Sequence, residues 1–178
     1  MAHVETERRF LIKKPNPDFL KTLDGYTESN IEQIYLISRT GSTHRIRLRK
    51  QEGRTICTET IKERISKMSA VERERQISEE EYYTLSLRRD PSSSPIVKIR
   101  RTFSYRGRLM ELDEYPHWHS VCLLEVELEG ENALLELPPF LEVIREITGE
   151  SRYSNAAMSR SFPEEQTLLQ KSSSNPDN

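Results

Sequence analysis

The sequence predicts an α+β fold: an eight-stranded antiparallel β-barrel with flanking helices outside it. Two observations predict it. Short segments of period-2 alternation recur along the chain, separated by Gly41-Ser42, Glu52-Gly53, Pro91 to Pro95 and Gly107, with links short enough for hairpins and hence for antiparallel pairing. Within those segments the charged residues fall on one face, strand after strand. If eight such strands close into a barrel, the apolar face packs against helices outside and the charged face becomes a lumen.

The expected strands are roughly 3–12, 31–38, 43–50, 54–62, 70–77, 96–104, 108–115 and 121–129. Helical stretches are expected at Pro17 to Leu23 and at Ser78 to Arg88, where Ser78 and Glu81 form a capping box. A third is expected over Glu131 to Glu146, broken by Pro138 and Pro139, with Phe140, Leu141, Ile144 and Ile147 packing on the barrel at helical spacing. A fourth, short one runs from Ser154 to Arg160, after Gly149 ends the third. The segments 63–70 and 90–95 read as mobile loops. From Pro163 onward apolar residues are too few to pay for order, so the expectation is a domain over 1–162 and a disordered tail over 163–178.

Composition narrows the function. The 178 residues carry 27 Lys+Arg against 29 Asp+Glu, a net charge of −2. Nucleic-acid binding proteins want a basic excess, so a general nucleic-acid footprint is disfavoured. No apolar run approaches the ~18 residues of a membrane span, and Met1 to Ile12 alternates instead of forming a leader. Cys57 and Cys122 lack metal or redox spacing and read as buried free thiols of a reducing compartment, with the cytoplasm as the default location. A monomer or homodimer is expected.

Taking every second residue of each strand separates the two faces. Glu5, Glu7 and Arg9 share one face of the first strand, and Arg45, Arg47 and Arg49 share one face of the third. Glu72 and Glu74, Lys98 and Arg100, Glu111 and Asp113, and Glu125, Glu127 and Glu129 continue the pattern. A solvated sheet face usually mixes polar residues, and like charges two apart repel without benefit. Here nearly every position is ionic, and arginine, whose planar fork matches phosphate oxygens, outnumbers lysine. Clustered carboxylates call for hard divalent cations, and clustered cations call for a dense anion. Together they describe a metal-polyphosphate site.

At this point a resemblance emerges. E-T-E-R-R at 5–9 is similar to the E-x-E-x-K signature of the CYTH superfamily, the triphosphate tunnel metalloenzymes. R-I-R-L-R at 45–49, T-I-K at 60–62, E-R-E at 72–74, K-I-R at 98–100, E-L-D at 111–113, L-E-V-E-L at 124–128 and R-Y-S-N at 152–155 continue it in order, over about residues 3–160. The resemblance implies a metal-dependent triphosphatase, with inorganic tripolyphosphate as the favoured small-molecule substrate and two Mg²⁺ or Mn²⁺ ions as cofactors. Class IV adenylate cyclase, thiamine or nucleoside triphosphatase and a non-catalytic polyphosphate binder are the alternatives. It also implies residue roles. Glu5, Glu7, Asp113, Glu125 and Glu127 would hold metal, with Glu5 or Glu7 orienting or deprotonating the attacking water. Arg9, Arg47, Arg49, Lys62, Lys98, Arg100 and Arg152 would hold phosphate, and Arg45, Glu72, Glu74 and Glu111 are further candidates. Arg9 departs from the signature lysine, and a guanidinium with a pKa above ~12 cannot serve as a base. The expected lumen contains no aromatic residue, which favours a bare triphosphate. His117-Trp118-His119 has H-x-H spacing but no third soft ligand, so a loop role at the rim is expected.

Overall fold

The computed structural model describes residues 2–170. Nine strands run in order: β1 (Ala2–Lys13), β2 (Thr27–Leu36), β3 (Ser42–Gln51), β4 (Arg54–Arg64), β5 (Ser69–Ile77), β6 (Ile96–Tyr105), β7 (Arg108–Glu114), β8 (Val121–Glu127) and β9 (Val143–Glu146). The helices are short: α1 (Pro17–Leu20), α2 (Glu79–Ser86), α3 (Asn155–Met158) and α4 (Glu165–Gln170), with a 3-10 turn over Ser151–Tyr153 before α3. All pairings are antiparallel, in the order β5-β4-β3-β2-β6-β7-β8-β1-β9.

The barrel closes through β1, which divides its length between partners. Ala2 to Thr6 pair with β5, Glu7 to Lys13 pair with β8, and β9 joins Phe10 to Ile12 on the side that β5 has left. Closure of eight strands removes the exposed sheet edges. The β3–β4 and β6–β7 hairpins turn on Glu52-Gly53 and Arg106-Gly107, all four at positive φ of 49–74°. Two consecutive left-handed residues match the twist of the flanking strands, and a glycine at the second position makes this affordable.

Apolar side chains form three cores. Phe10, Phe103, Met110, Leu112, Leu124 and Val126 point outward from β1 and β6–β8 and are covered by Leu20 of α1 and by Leu141. Ile34, Ile46, Leu48, Cys57 and Ile77 point outward from β2–β5 and pack under Tyr82 of α2. Ser78 caps α2 by accepting from the Glu81 N–H at 3.0 Å, as its sequence indicates. The third core lies within the barrel at one end, where Leu11, Ile96, Tyr115 and Leu123 pack with Trp118, Tyr153, Met158 and Leu168.

Three expectations change. The stretch 131–146 forms no helix: Val143–Glu146 is a strand on β1, although Leu141 and Ile147 are buried as their spacing suggested. The loop expected over 63–70 shrinks to 65–68, because β4 and β5 extend into it. The segment 163–170 is packed, not a tail. Leu168 is buried, Trp118 donates its Nε1–H to the Pro163 carbonyl at 2.9 Å, and Glu165 accepts from the Ser120 N–H at 2.6 Å. Residues 171–178 of the expected tail lie outside the described residues. Both cysteines are free and buried.

Candidate functional site

A cavity of about 470 Å³ occupies the lumen. Cross-strand register puts the predicted charged face inside on every strand: Arg9 lies opposite Glu125, Glu111 opposite Glu125, Arg100 opposite Asp113, and Lys62 opposite Glu72. Of the candidates, Glu5, Glu7, Arg9, Arg45, Arg47, Lys62, Glu72, Lys98, Arg100, Glu111 and Glu125 line the cavity. Five do not. Arg49 shares the face one step beyond the lining, and Glu74 is exposed, accepting from the Thr60 hydroxyl at 2.8 Å. Glu127 is exposed on β8. Asp113 is fully buried beneath Arg100 and Lys98. Arg152, expected on phosphate, binds Glu150 at 3.0 Å and lies half exposed over the Tyr153 ring.

Sequence reasoning placed a strand at 31–38 but missed the inner face of β2. Ser29, Ile31, Gln33 and Tyr35 form its inner face, and Tyr35 lines the cavity, which corrects the expectation of a lumen without aromatic residues. Tyr35 is buried and accepts from Gln33 Nε2 at 2.6 Å. The available signal was the alternation itself, read without regard to charge. Ser42 and Thr43 at the start of β3, Arg64, and Ser151, Ser154 and Asn155 also contribute to the wall. Trp118 is core instead of loop rim, while His117 stacks on Phe162 at 4.8 Å.

Charge within the cavity is only partly paired. Lys62 bridges Glu5 at 2.5 Å and Glu72 at 2.9 Å. Arg100 binds Asp113 through two bonds of 2.7 Å, Glu125 at 2.7 Å, and Glu111. Arg9 binds Glu125 at 3.0 Å. These cations overcome the effect of burial on three acids: Arg45 and Lys62 hold Glu72 at about 2, Arg9 and Arg100 hold Glu125 well below the usual carboxylate range, and Arg100 and Lys98 depress Asp113.

Other groups lack that compensation. Burial, followed by the facing Glu125, pushes Glu7 up to about 7, and its nearest cation, Arg9, is 3.9 Å away. Burial also raises Glu5 and Glu111, against the pull of Lys62 and Arg100. On the basic side, neighbouring Arg45 and then burial bring Arg47 down to about 10, and burial with Arg100 brings Lys98 to about 8. Among the described residues Arg47 and Arg49 make no salt bridge, and the Nε atoms of Arg45, Arg47 and Arg49 are buried without partners. Buried donors without acceptors and repelling carboxylates are both costly. An anion lying along β3 and a cation among the carboxylates would relieve both.

The carboxylate set offers hard oxygen donors and no sulfur or imidazole, the chemistry that suits Mg²⁺ or Mn²⁺. Among the described residues, no three potential ligands already converge closely enough to hold an ion. In the cavity the carboxylates are held on Lys62, Arg9 and Arg100 instead. The donor type fits a divalent cation, and binding one requires the Lys62 and Arg100 pairs to loosen, while Arg9 holds the other oxygen of Glu125.

A closed eight-strand tunnel lined by both signs of charge is the architecture of the triphosphate tunnel proteins. No protein-family model and no curated protein matches the chain. Two solved structures of the protein NE1496 are similar over 89% of this chain, at 27% identity and a TM-score of 0.56. One, described as an inorganic triphosphatase, is covered over 96% of its length and the other, described as a hypothetical protein, over 99%. The PH1819 protein from Pyrococcus horikoshii OT3 shares the fold at a TM-score of 0.53 and 19% identity, over 71% of this chain and 80% of that one. The chain shares the fold of these structures, in keeping with its resemblance to the CYTH superfamily. Among the described residues, no helix is long and apolar enough to cross a membrane.

Proposed function

We propose that the protein is a triphosphatase that hydrolyses inorganic tripolyphosphate in its tunnel with the help of divalent cations. The observation that carries this reading is the coexistence, in one cavity, of β3 arginines whose Nε atoms are buried without partners and of β1 and β7 carboxylates that burial raises despite the cations beside them. The similarity to a structure described as an inorganic triphosphatase supports the same activity.

Arg45, Arg47 and Arg49 would take the phosphate oxygens along β3, with Lys62 and Arg100 facing them from β4 and β6. Fixed cations aimed at a transferring phosphoryl group stabilise the charge that develops there without reorganising. Glu5, Glu7, Glu111 and Glu125 would hold divalent cation. When bound, that cation offsets phosphate charge and makes a water acidic enough to attack near neutral pH. Glu7, whose nearest cation is 3.9 Å away, would orient that water or accept its proton. Asp113 is saturated by Lys98 and Arg100, so its role here is to hold those two cations in position.

Tyr35 is too deeply buried to offer its ring face to a nucleobase or a thiazolium, which favours the bare triphosphate over the cyclase and thiamine alternatives. The test is phosphate release from tripolyphosphate, ATP and thiamine triphosphate with Mg²⁺, Mn²⁺ or chelator, with cyclic AMP assayed alongside. Metal-dependent turnover fastest on tripolyphosphate is expected. Tight binding of polyphosphate without turnover under every metal condition would replace the enzyme with a binding protein.

A further inference from the structure

Arg9 stands where the resemblance suggested a phosphate ligand, yet its guanidinium is already committed. Nε donates to Glu125 at 3.0 Å and Nη2 donates to the Tyr153 carbonyl at 2.7 Å. Its backbone N–H donates to the Thr148 hydroxyl at 3.0 Å, so the residue is anchored at both ends, and it is only 7% exposed.

The carbonyl it holds belongs to a residue gripped from two further directions. Arg145 stacks on the Tyr153 ring at 5.2 Å and donates to its hydroxyl at 2.7 Å, while Arg152 stacks on the ring at 4.7 Å. Glu150 ties these two arginines together. Tyr153 in turn leads into Ser154, Asn155 and Ala156, which form part of the cavity wall. Three arginines from β1, β9 and the 3-10 turn thus converge on a residue that helps to seat the closing segment 151–158.

From this geometry we infer that Arg9 is a positioning residue: it couples Glu125 in the tunnel to the Tyr153 carbonyl of the closing segment and does not bind phosphate. The inference rests on the triphosphatase reading for its kinetic consequences, while its structural consequence stands independently. A guanidinium can serve two acceptors at once through a rigid fork with separate nitrogens, whereas lysine offers a single nitrogen. Arg9→Lys therefore keeps the charge but loses the simultaneous hold.

The test compares wild type, Arg9→Lys, Arg9→Gln and Arg145→Gln by hydrogen exchange of residues 151–158 and by separate titrations of tripolyphosphate and Mg²⁺. Loss of a charge-assisted bond corresponds to roughly tenfold or more in an equilibrium. Both Arg9 variants are expected to speed exchange in 151–158 roughly tenfold and to raise the Mg²⁺ concentration for half-maximal activity to a similar degree. The KM for tripolyphosphate should stay within about twofold. Arg145→Gln, which loosens the same segment without touching Glu125, is expected to speed exchange and leave the Mg²⁺ dependence unchanged. A tenfold rise in tripolyphosphate KM in Arg9→Gln, restored by Arg9→Lys with exchange unaltered, would make Arg9 a phosphate ligand and overturn the inference. A variant at Arg9 that fails to fold would also overturn it, because the barrel ladder does not depend on this side chain. If the wild type shows no turnover, the triphosphatase reading fails, and the exchange comparison still decides whether Arg9 seats the closing segment.

Discussion

Replacing Arg100 by glutamine tests whether the tunnel's opposite charges sustain one another. This guanidinium makes four hydrogen bonds to three carboxylates: two to Asp113, one to Glu125 and one to Glu111. Asp113 has no solvent exposure, so it cannot replace what it loses with water. Glutamine, with two amide N–H donors and no charge, cannot satisfy all three. Removing one partner of a buried ion pair typically costs about 3–5 kcal/mol. For a domain of this size, with about 2–4 °C per kcal/mol, the melting temperature in chelator should fall by about 6–20 °C. The sign of the pH effect follows from the same picture. Without Arg100 the folded-state pKa values of these acids rise, the folded protein binds more protons than the unfolded one, and stability is lost as pH increases. The deficit should therefore be larger at pH 8 than at pH 5. Mg²⁺ should raise the variant's melting temperature more than the wild type's, because a divalent cation replaces the missing charge. Thermal melts in chelator and in Mg²⁺ at both pH values measure all of this. Arg100→Gln melting with the wild type in chelator at pH 8 would refute the claim that these groups depend on one another.

Glu7→Gln is expected to abolish metal-dependent phosphate release while leaving the far-ultraviolet circular dichroism of the barrel intact, and full activity in that variant would remove Glu7 from the site. Glu165 is held at about 2, where hydrogen bonds from Ser120 and the His119 N–H outweigh the effect of burial. Its depressed pKa means that its contribution is present above the unfolded value of about 4.5 and is lost as pH falls towards 2. Glu165→Gln at pH 7 should therefore red-shift the emission of Trp118, the single tryptophan, whose Nε1–H is tied to Pro163 in the same segment. Unchanged emission would detach Glu165 from the docking of 163–170. Cys57 and Cys122 are buried with raised pKa values, chiefly through burial, and should resist alkylation at pH 8 until denaturant is added, as mass spectrometry can measure.

The barrel was legible because alternation is a local property: each strand declares its charged face within a few residues. The fate of each charge was not legible, because that depends on register. Asp113 reads as a metal ligand in E-L-D, but β6 and β7 pair so that Arg100 lies opposite it, and the carboxylate is spent there. The segment 131–146 misled for a related reason. Apolar residues at 140, 141, 144 and 147 fit a helix, yet Val143 and Arg145 find ladder partners on the stretch of β1 that β5 leaves open. Packing of 163–170 depends on one buried leucine and one capped carboxylate, too little to register in composition.

Register also explains why the inward-facing arginines of β3 are so weakly paired. On either side Arg45 meets Tyr35 and Thr60, Arg47 meets Gln33 and Thr58, and Arg49 meets Ile31 and Ile56. None of these six neighbours is charged, so the nearest carboxylate available to the row is Glu72, 3.7 Å from Arg45. Elsewhere Arg9 lies opposite Glu125, Arg100 opposite Asp113 and Lys62 opposite Glu72, so those bases have a carboxylate directly across the ladder. The uncharged inner face of β2, invisible to a search for ionic residues, is therefore part of the binding site we propose. By insulating β3 from carboxylates, it leaves three guanidinium groups whose unmet hydrogen bonds a chain of phosphates can satisfy.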